Sequence, residues 1–170
     1  MKIAVLSDIH DNIWNLDKAL EKVKENQCEA IIFCGDFCAP FVVPHLTVTG
    51  LPVSACFGNN DEDQWSIVKN AKSDKFQVWA LGQEFAEIEL DKTKIAFCHY
   101  PKLGRLLAQT GDYQAVFHGH THEAYKEKIE STLLANPGAV CGIVSGHPGP
   151  AGFGVFDTST LIFNNITITL

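Results

Sequence analysis

Ile3-Ala4-Val5-Leu6-Ser7-Asp8-Ile9-His10 is the stretch that decides how this chain is read. Four apolar residues in a row, two of them β-branched, read as a strand buried on both faces. The run ends in an Asp-x-His pair, and the same order of residue types recurs four times downstream. Ile31-Ile32-Phe33-Cys34-Gly35 leads to Asp36, and the run 53–57 leads to Gly58-Asn59-Asn60-Asp61. Ile95-Ala96-Phe97-Cys98 leads to His99, and Ala115-Val116-Phe117 leads to His118-Gly119-His120-Thr121-His122. Ligands of open α/β sheets sit beyond the carboxyl ends of the strands. Five strand ends carrying Asp, His and Asn therefore predict one shared site. Singly, each residue has a plainer explanation. Asp8 or Asp36 serves as a helix cap or turn former, Asn59-Asn60 as a turn, and His99 as a satisfied buried imidazole. Their concurrence is the signal.

Between these runs the periodicity changes. Ile13, Leu16, Leu20 and Val23 fall at helical spacing and predict a helix over 12–26. A short helical or looped stretch follows at 41–46 and a helix at 62–71. Phe85 to Leu90 alternates apolar and polar residues, and a tight turn at Asp91-Lys92-Thr93 joins it to the strand at 95–97, a hairpin pattern. A helix over 103–109 leads to the strand at 115–117. The last third reads as strand-rich and ends in a strand over 161–170. Its Gly/Pro-rich patch at 145–154 reads as a loop, either an interface in a homo-oligomer or a wall of the pocket. Parallel βαβ units followed by an antiparallel portion predict an α/β fold of two packed sheets with helices outside. At 170 residues the chain is expected to form a single domain over 1–170.

Composition narrows the function classes. Apolar residues make up 46% of the chain and charged residues 19%, a globular balance rather than a disordered or fibrous one. The apolar runs fall far short of the ~20 residues that cross a bilayer, and Asp8 interrupts any leader-like segment early. A cytoplasmic location follows as an expectation. The net charge is -7 and the basic residues form no run, which argues against long nucleic acid and against an anionic membrane surface. Divalent ions would offset much of that charge and let an acidic chain bind phosphate. The six cysteines match no secreted disulfide framework and read as small buried hydrophobes.

Asp8, His10, Asp36, Asn59, His99, His120 and His122 form a set of imidazole nitrogens, carboxylates and one amide oxygen. That set suits Mn, Fe, Zn, Co or Ni better than Ca. Seven ligands exceed the needs of one ion and suit two ions sharing a bridging carboxylate. Paired ions ~3.5–4 Å apart recur in phosphoester hydrolysis. His120 and His122 lie on alternate residues, which in an extended segment point the same way.

Asp8-x-His10, Gly35-Asp36, Gly58-Asn59-x-Asp61, His99 and Gly119-His120-Thr121-His122 resemble, in order and spacing, the calcineurin-like metallophosphoesterases. The turn Asn136-Pro137-Gly138 and the short chain are similar to the small single-domain phosphodiesterases of the YfcE type. The resemblance implies two facing mixed β-sheets flanked by helices, a four-layer α-β-β-α sandwich. It implies one ion held by Asp8, His10, Asp36 and His122, and another by Asp36, Asn59, His99 and His120, with Asp36 bridging. The cofactors would be two divalent ions, Mn2+ first, with Ni2+, Fe2+, Zn2+, Co2+ and Mg2+ as alternatives. The implied reaction is hydrolysis of a small phosphodiester by a hydroxide bridging the ions. The alternatives are a non-catalytic protein-binding scaffold on the same fold, as in the retromer subunit Vps29, and a phosphomonoesterase or nuclease.

Two positions depart from the family pattern. Many relatives carry His after the metal-binding Asn, where this chain has Asn60, which has no useful proton to give a leaving group. Tyr100 follows His99 where Gly is common, and a ring there narrows the pocket, stacks on a base or packs; packing is the preferred reading. Asn60 and Asp61 stand as weaker site candidates, through a phosphate contact or by orienting a neighbour, with a helix cap preferred for Asp61. His118 is expected to pack, Lys102 and Arg105 to lie on a solvated helix face, and Asn12 to cap the first helix.

Overall fold

The computed structural model describes residues 1–79 and 83–168, so the last two positions of the strand expected at 161–170 lie outside the described residues. The first half runs β1 (Lys2–Leu6), α1 (Ile13–Glu25), β2 (Ala30–Phe33), α2 (Val42–Thr47), β3 (Val53–Cys56), α3 (Gln64–Asn70) and β4 (Phe76–Trp79). The middle runs β5 (Phe85–Leu90), β6 (Thr93–Cys98), α4 (Pro101–Thr110), β7 (Ala115–Phe117), β8 (Tyr125–Ile129) and β9 (Thr132–Asn136). The end runs β10 (Ile143–Val144), β11 (His147–Pro148), β12 (Ala151–Asp157) and β13 (Ile162–Ile168).

These strands form two mixed sheets and a small hairpin of β10 and β11. The first sheet has the order β13-β12-β1-β2-β3-β4 and the second β5-β6-β7-β9-β8. Strands β1 to β4 are mutually parallel, with Leu6 opposite Phe33 and Phe33 opposite Ala55, so their carboxyl ends align. Strands β6, β7 and β9 are parallel in the second sheet, with Phe97 opposite Phe117.

The pleat sorts each apolar run between two interiors. Ala4, Leu6, Ile31 and Phe33 pack under Leu16, Ala19, Leu20 and Val23 of α1. Their neighbours Ile3, Val5, Ile32 and Cys34 face the other way and meet Ile95, Phe97, Ala115 and Phe117 of the second sheet. On that sheet's far side, Ala96, Cys98, Val116 and Leu134 pack against Leu107 and Ala108 of α4. The layers are helix, sheet, sheet, helix, as expected from parallel βαβ units followed by an antiparallel portion. No helix among the described residues is long and apolar enough to cross a membrane.

Three readings of the sequence need correction. The patch at 145–154 is not one loop, because it holds β11 and the start of β12. Gly146, at φ 78°, does mark the turn of the β10–β11 hairpin, but Gly152 and Gly154 lie within β12. A Cβ at Gly154 would collide with the Phe163 ring on the paired strand β13. Strand β4 was not anticipated, being short and preceded by Lys72-Ser73-Asp74-Lys75. Helix α3 starts at Gln64 rather than 62, because the Asp63 carboxylate accepts the Ser66 N–H and supplies the cap expected of Asp61.

Candidate metal centre

Each loop leaving a parallel strand end turns at once, and the polar residues sit at the turns. Asp8, His10, Asp36, His120 and His122 have φ of 55°, 45°, 65°, 73° and 62°. Left-handed backbone is several-fold enriched in Asn, Asp and His among non-glycine residues, and such strain gathers at functional sites. Backbone bonds lock the loops to one another. The Asp8 N–H donates to Gly35 O at 3.0 Å, the Cys141 N–H to Asp8 O at 3.0 Å and the Gly119 N–H to His99 O at 3.1 Å. Gly119 is required where the two sheets meet, because a Cβ there would run into Ser7 Oγ.

All seven predicted ligands converge. His122 Nε2 lies 3.2 Å from Asp8 Oδ1, and His10 Nε2 lies 3.8 Å from the same oxygen. The two imidazole Nε2 atoms are 3.2 Å apart. Asp36 Oδ2 is 3.4 Å from His10 Nε2 on one side and 3.4 Å from His99 Nε2 on the other. Around His99, Asn59 Oδ1 lies 3.0 Å from Nε2, and His120 Nδ1 lies 2.8 Å from Asn59 Oδ1 and 3.3 Å from His99 Nε2. Ligand atoms ~2.1 Å from an ion are ~3.0–3.4 Å from each other, and all but the 2.8 Å and 3.8 Å separations among these fall in that range.

The tautomers fit a cation as well. His99 Nδ1 donates to Cys34 O at 2.8 Å, and His122 Nδ1 donates to Ile143 O at 2.6 Å. Each commitment leaves the Nε2 lone pair aimed into a group of carboxylate oxygens, where it needs a positive partner. Burial would raise the Asp8 carboxyl, yet hydrogen bonds from His10 and His122 bring it well below the usual carboxylate range. Asp8 in turn lifts His122 to about 11. A proton and a cation thus compete for one lone pair.

Asn60 and Asp61 act on the ligands rather than on open space. The Asn60 N–H donates to Asp36 Oδ1 and its Nδ2 to Asp36 Oδ2, both at 2.8 Å. Asp61 is buried and accepts from the N–H groups of Gly58 at 2.8 Å, Asp36 at 3.0 Å and Cys38 at 2.8 Å. Burial still pushes its carboxyl up against those bonds. The braces missed by sequence reasoning are mostly main-chain oxygens, Cys34 O and Ile143 O, which no side-chain pattern signals. Asn136 had a sequence signal, and its Nδ2 holds Gly119 O at 3.1 Å and Thr121 Oγ1 at 3.0 Å.

The remaining candidates sort cleanly. Asn12 Oδ1 accepts the Asn15 N–H and caps α1. His118 is buried, donating from Nδ1 to Gly119 O at 3.0 Å, while Tyr125 Oη contacts its Nε2 at 2.5 Å. Arg105 pairs with Glu127 at 2.6 Å on an exposed face, and Lys102 is exposed. Among the described residues the six thiols are free. Cys38 Sγ lies 3.4 Å from His10 Nδ1, and burial pushes its thiol up to about 12. Tyr100 packs its ring beside those of His99 and His120 and leaves 45% of its surface exposed. Beside the cluster lies a cleft of about 490 Å³ bounded by His10, His120, His122, Ile143 and Ser145.

A family profile described as the calcineurin-like phosphoesterase superfamily domain matches residues 1–161. The curated phosphodiesterase MJ0936 of Methanocaldococcus jannaschii is 31% identical over 170 residues, covering 99% of each chain. A solved archaeal phosphodiesterase superposes with a TM-score of 0.88 at 29% identity, over 98% of this chain and 99% of that one. The phosphoesterase YfcE of E. coli has a TM-score of 0.68 at 21% identity, over 99% of this chain and 100% of its own. Vacuolar Protein Sorting 29 of Cryptosporidium parvum has 0.67 at 16%, over 98% and 95%, a likeness of fold alone.

Proposed function

Because this chain belongs to the calcineurin-like phosphoesterase superfamily, we propose that it is a phosphodiesterase whose seven clustered ligands hold two divalent ions. The observation that carries the two-ion reading is Asp36, one oxygen of which lies 3.4 Å from both His10 Nε2 and His99 Nε2. On this reading Asp8, His10, Asp36 and His122 hold one ion, and Asp36, Asn59, His99 and His120 hold the other. Bound there, the ions supply Lewis acidity to the phosphate oxygens and make hydroxide available near neutral pH. The nitrogen-rich set supports a transition metal, Mn2+ first, with Ni2+, Fe2+, Zn2+, Co2+ or Mg2+ as alternatives.

The chain's own groups fix the geometry. Asn60 holds both oxygens of Asp36, and Asp61 gathers three N–H groups from the loops on either side. Asn60 has no proton to give, and a missing general acid costs ~10²–10⁴-fold, so esters with good leaving groups turn over best. The open cleft and the absence of a basic run support a small diester over a polymer. The same reading takes 1–170 as one domain and, from its six free thiols, a reducing cytoplasmic setting.

The test counts ions on purified protein and follows cleavage of bis(p-nitrophenyl) phosphate with Mn2+, Ni2+ and Mg2+ before and after chelation. Two ions per chain and chelator-sensitive cleavage are expected. Cleavage that survives chelation, or empty sites with no turnover in any metal, overturns the reading and leaves the scaffold alternative.

A further inference from the structure

Tyr100 stands beside His99 and His120 with 45% of its surface exposed. Its ring centroid lies 5.3 Å from that of His99, nearly perpendicular at 78°, and 5.3 Å from that of His120 at 60°. His120 beside it is exposed, as is Asn59, whose Oδ1 lies 2.8 Å from His120 Nδ1. Among the described residues the Tyr100 hydroxyl has no hydrogen-bond partner. Its main chain, by contrast, is fixed. Tyr100 is extended, at φ -89° and ψ 133°, and Pro101 follows at the first turn of α4. Its carbonyl accepts the Gly104 N–H at 3.0 Å and the Cys98 thiol at 3.4 Å. A ring with an anchored backbone and a free surface costs little to order when something stacks on it.

We propose that Tyr100 is a specificity-determining residue, a stacking platform for a planar ring on the phosphodiester, of which a nucleobase is the chemical type. This rests on the phosphoesterase reading of the neighbouring ligands, which would seat the phosphate beside His99 and His120. A flat aromatic substituent one sugar away from that phosphate meets the tyrosine face. An alkyl substituent meets the same face without comparable stacking. Base–aromatic stacking is worth ~1–3 kcal/mol, about a 5- to 150-fold preference.

The test uses Mn2+-loaded protein and calorimetric binding of two probes, thymidine 5′-monophosphate and 2-deoxyribose 5-phosphate, which differ only by the base. Wild type should bind the first about tenfold more tightly. Tyr100→Phe should keep that preference. Tyr100→Leu and Tyr100→Ala should erase most of it, with sugar-phosphate affinity within about twofold of wild type and unchanged ion content. No preference in wild type, or binding of neither probe, overturns the proposal. So does an equal loss for both probes in Tyr100→Ala, which would make the ring a mere prop for His99 and His120. Because binding is read without turnover, a preference that depends on Tyr100 in a protein that cleaves no diester would sustain the platform and sink the phosphodiesterase.

Discussion

Asp36 is the side chain on which both halves of the cluster depend, whereas His122 touches only one. Asp36→Asn should therefore empty both sites, and His122→Ala one in preference to the other. Metal analysis at matched free Mn2+ reads the difference, and equal loss in the two variants would break the partition. Each should cut diester turnover by more than the ~10–100-fold typical of an outer partner. His118 offers a pH test. Burial lowers its pKa from 6.5, against the hydrogen bond to Gly119 O. The unfolded chain then binds the proton more readily, so this contribution is whole above pH 6.5 and fades as pH falls through the window below it. In chelator, the melting-temperature gap between wild type and His118→Phe should narrow from pH 7 to pH 5. A constant gap would mean that His118 only fills space. The convergence of the seven candidate ligands was legible because few residue types bind metal and each follows an apolar run. Asp61 was misjudged, and the partial exposure of Tyr100 missed, because both turn on what lies near in space. Asp61 takes N–H groups from residues as far away as Asp36, and the exposure of Tyr100 depends on how α4 leaves the sheet.

At the level of elements, β12 shows how a sequence cue can invert. Glycine at 152 and 154 beside a proline-rich patch suggests a loop, but these positions lie in a strand paired along its length with β13. The missing side chain at 154 is filled by the ring of Phe163. Gly154→Ala should destabilise by about 1–3 kcal/mol through overpacking, a fall in melting temperature of several degrees for a domain of this size. Thermal melts of the chelated protein check it, and an unchanged melt would mean that the Phe163 ring swings clear at no cost. Strands β1, β2 and β7 were legible because both faces are buried and the apolar run is unbroken. Strand β8 was not, since the charged Glu127 sits between Tyr125 and Ile129 on its half-buried face and breaks the apolar alternation that marked β5. The β10–β11 hairpin belongs to the site rather than to either core, because Ile143 O receives the His122 N–H.

For the whole molecule, the ligands divide between two sheets. Asp8, Asp36 and Asn59 extend from the first sheet and His99, His120 and His122 from the second, so ions held as proposed would tie the layers together. Anything that binds only the folded state stabilises it by RT ln(1 + [L]/Kd), ~2.7 kcal/mol at a hundredfold excess over Kd. Mn2+ should accordingly raise the melting temperature by several degrees, chelation should reverse the gain, and Asp36→Asn should abolish it. A wild-type melt indifferent to Mn2+ would mean that the ions do not bridge the layers. The positive φ angles at Asp8, His10, Asp36, His120 and His122 bear on how such a chain could diverge. Their conformation is tolerated best by glycine, asparagine, aspartate and histidine, so backbone and chemistry select overlapping alphabets at the same five positions. A lineage released from catalysis would shed these side chains toward asparagine or glycine before alanine or valine, and the shape of the old loops would outlive their chemistry.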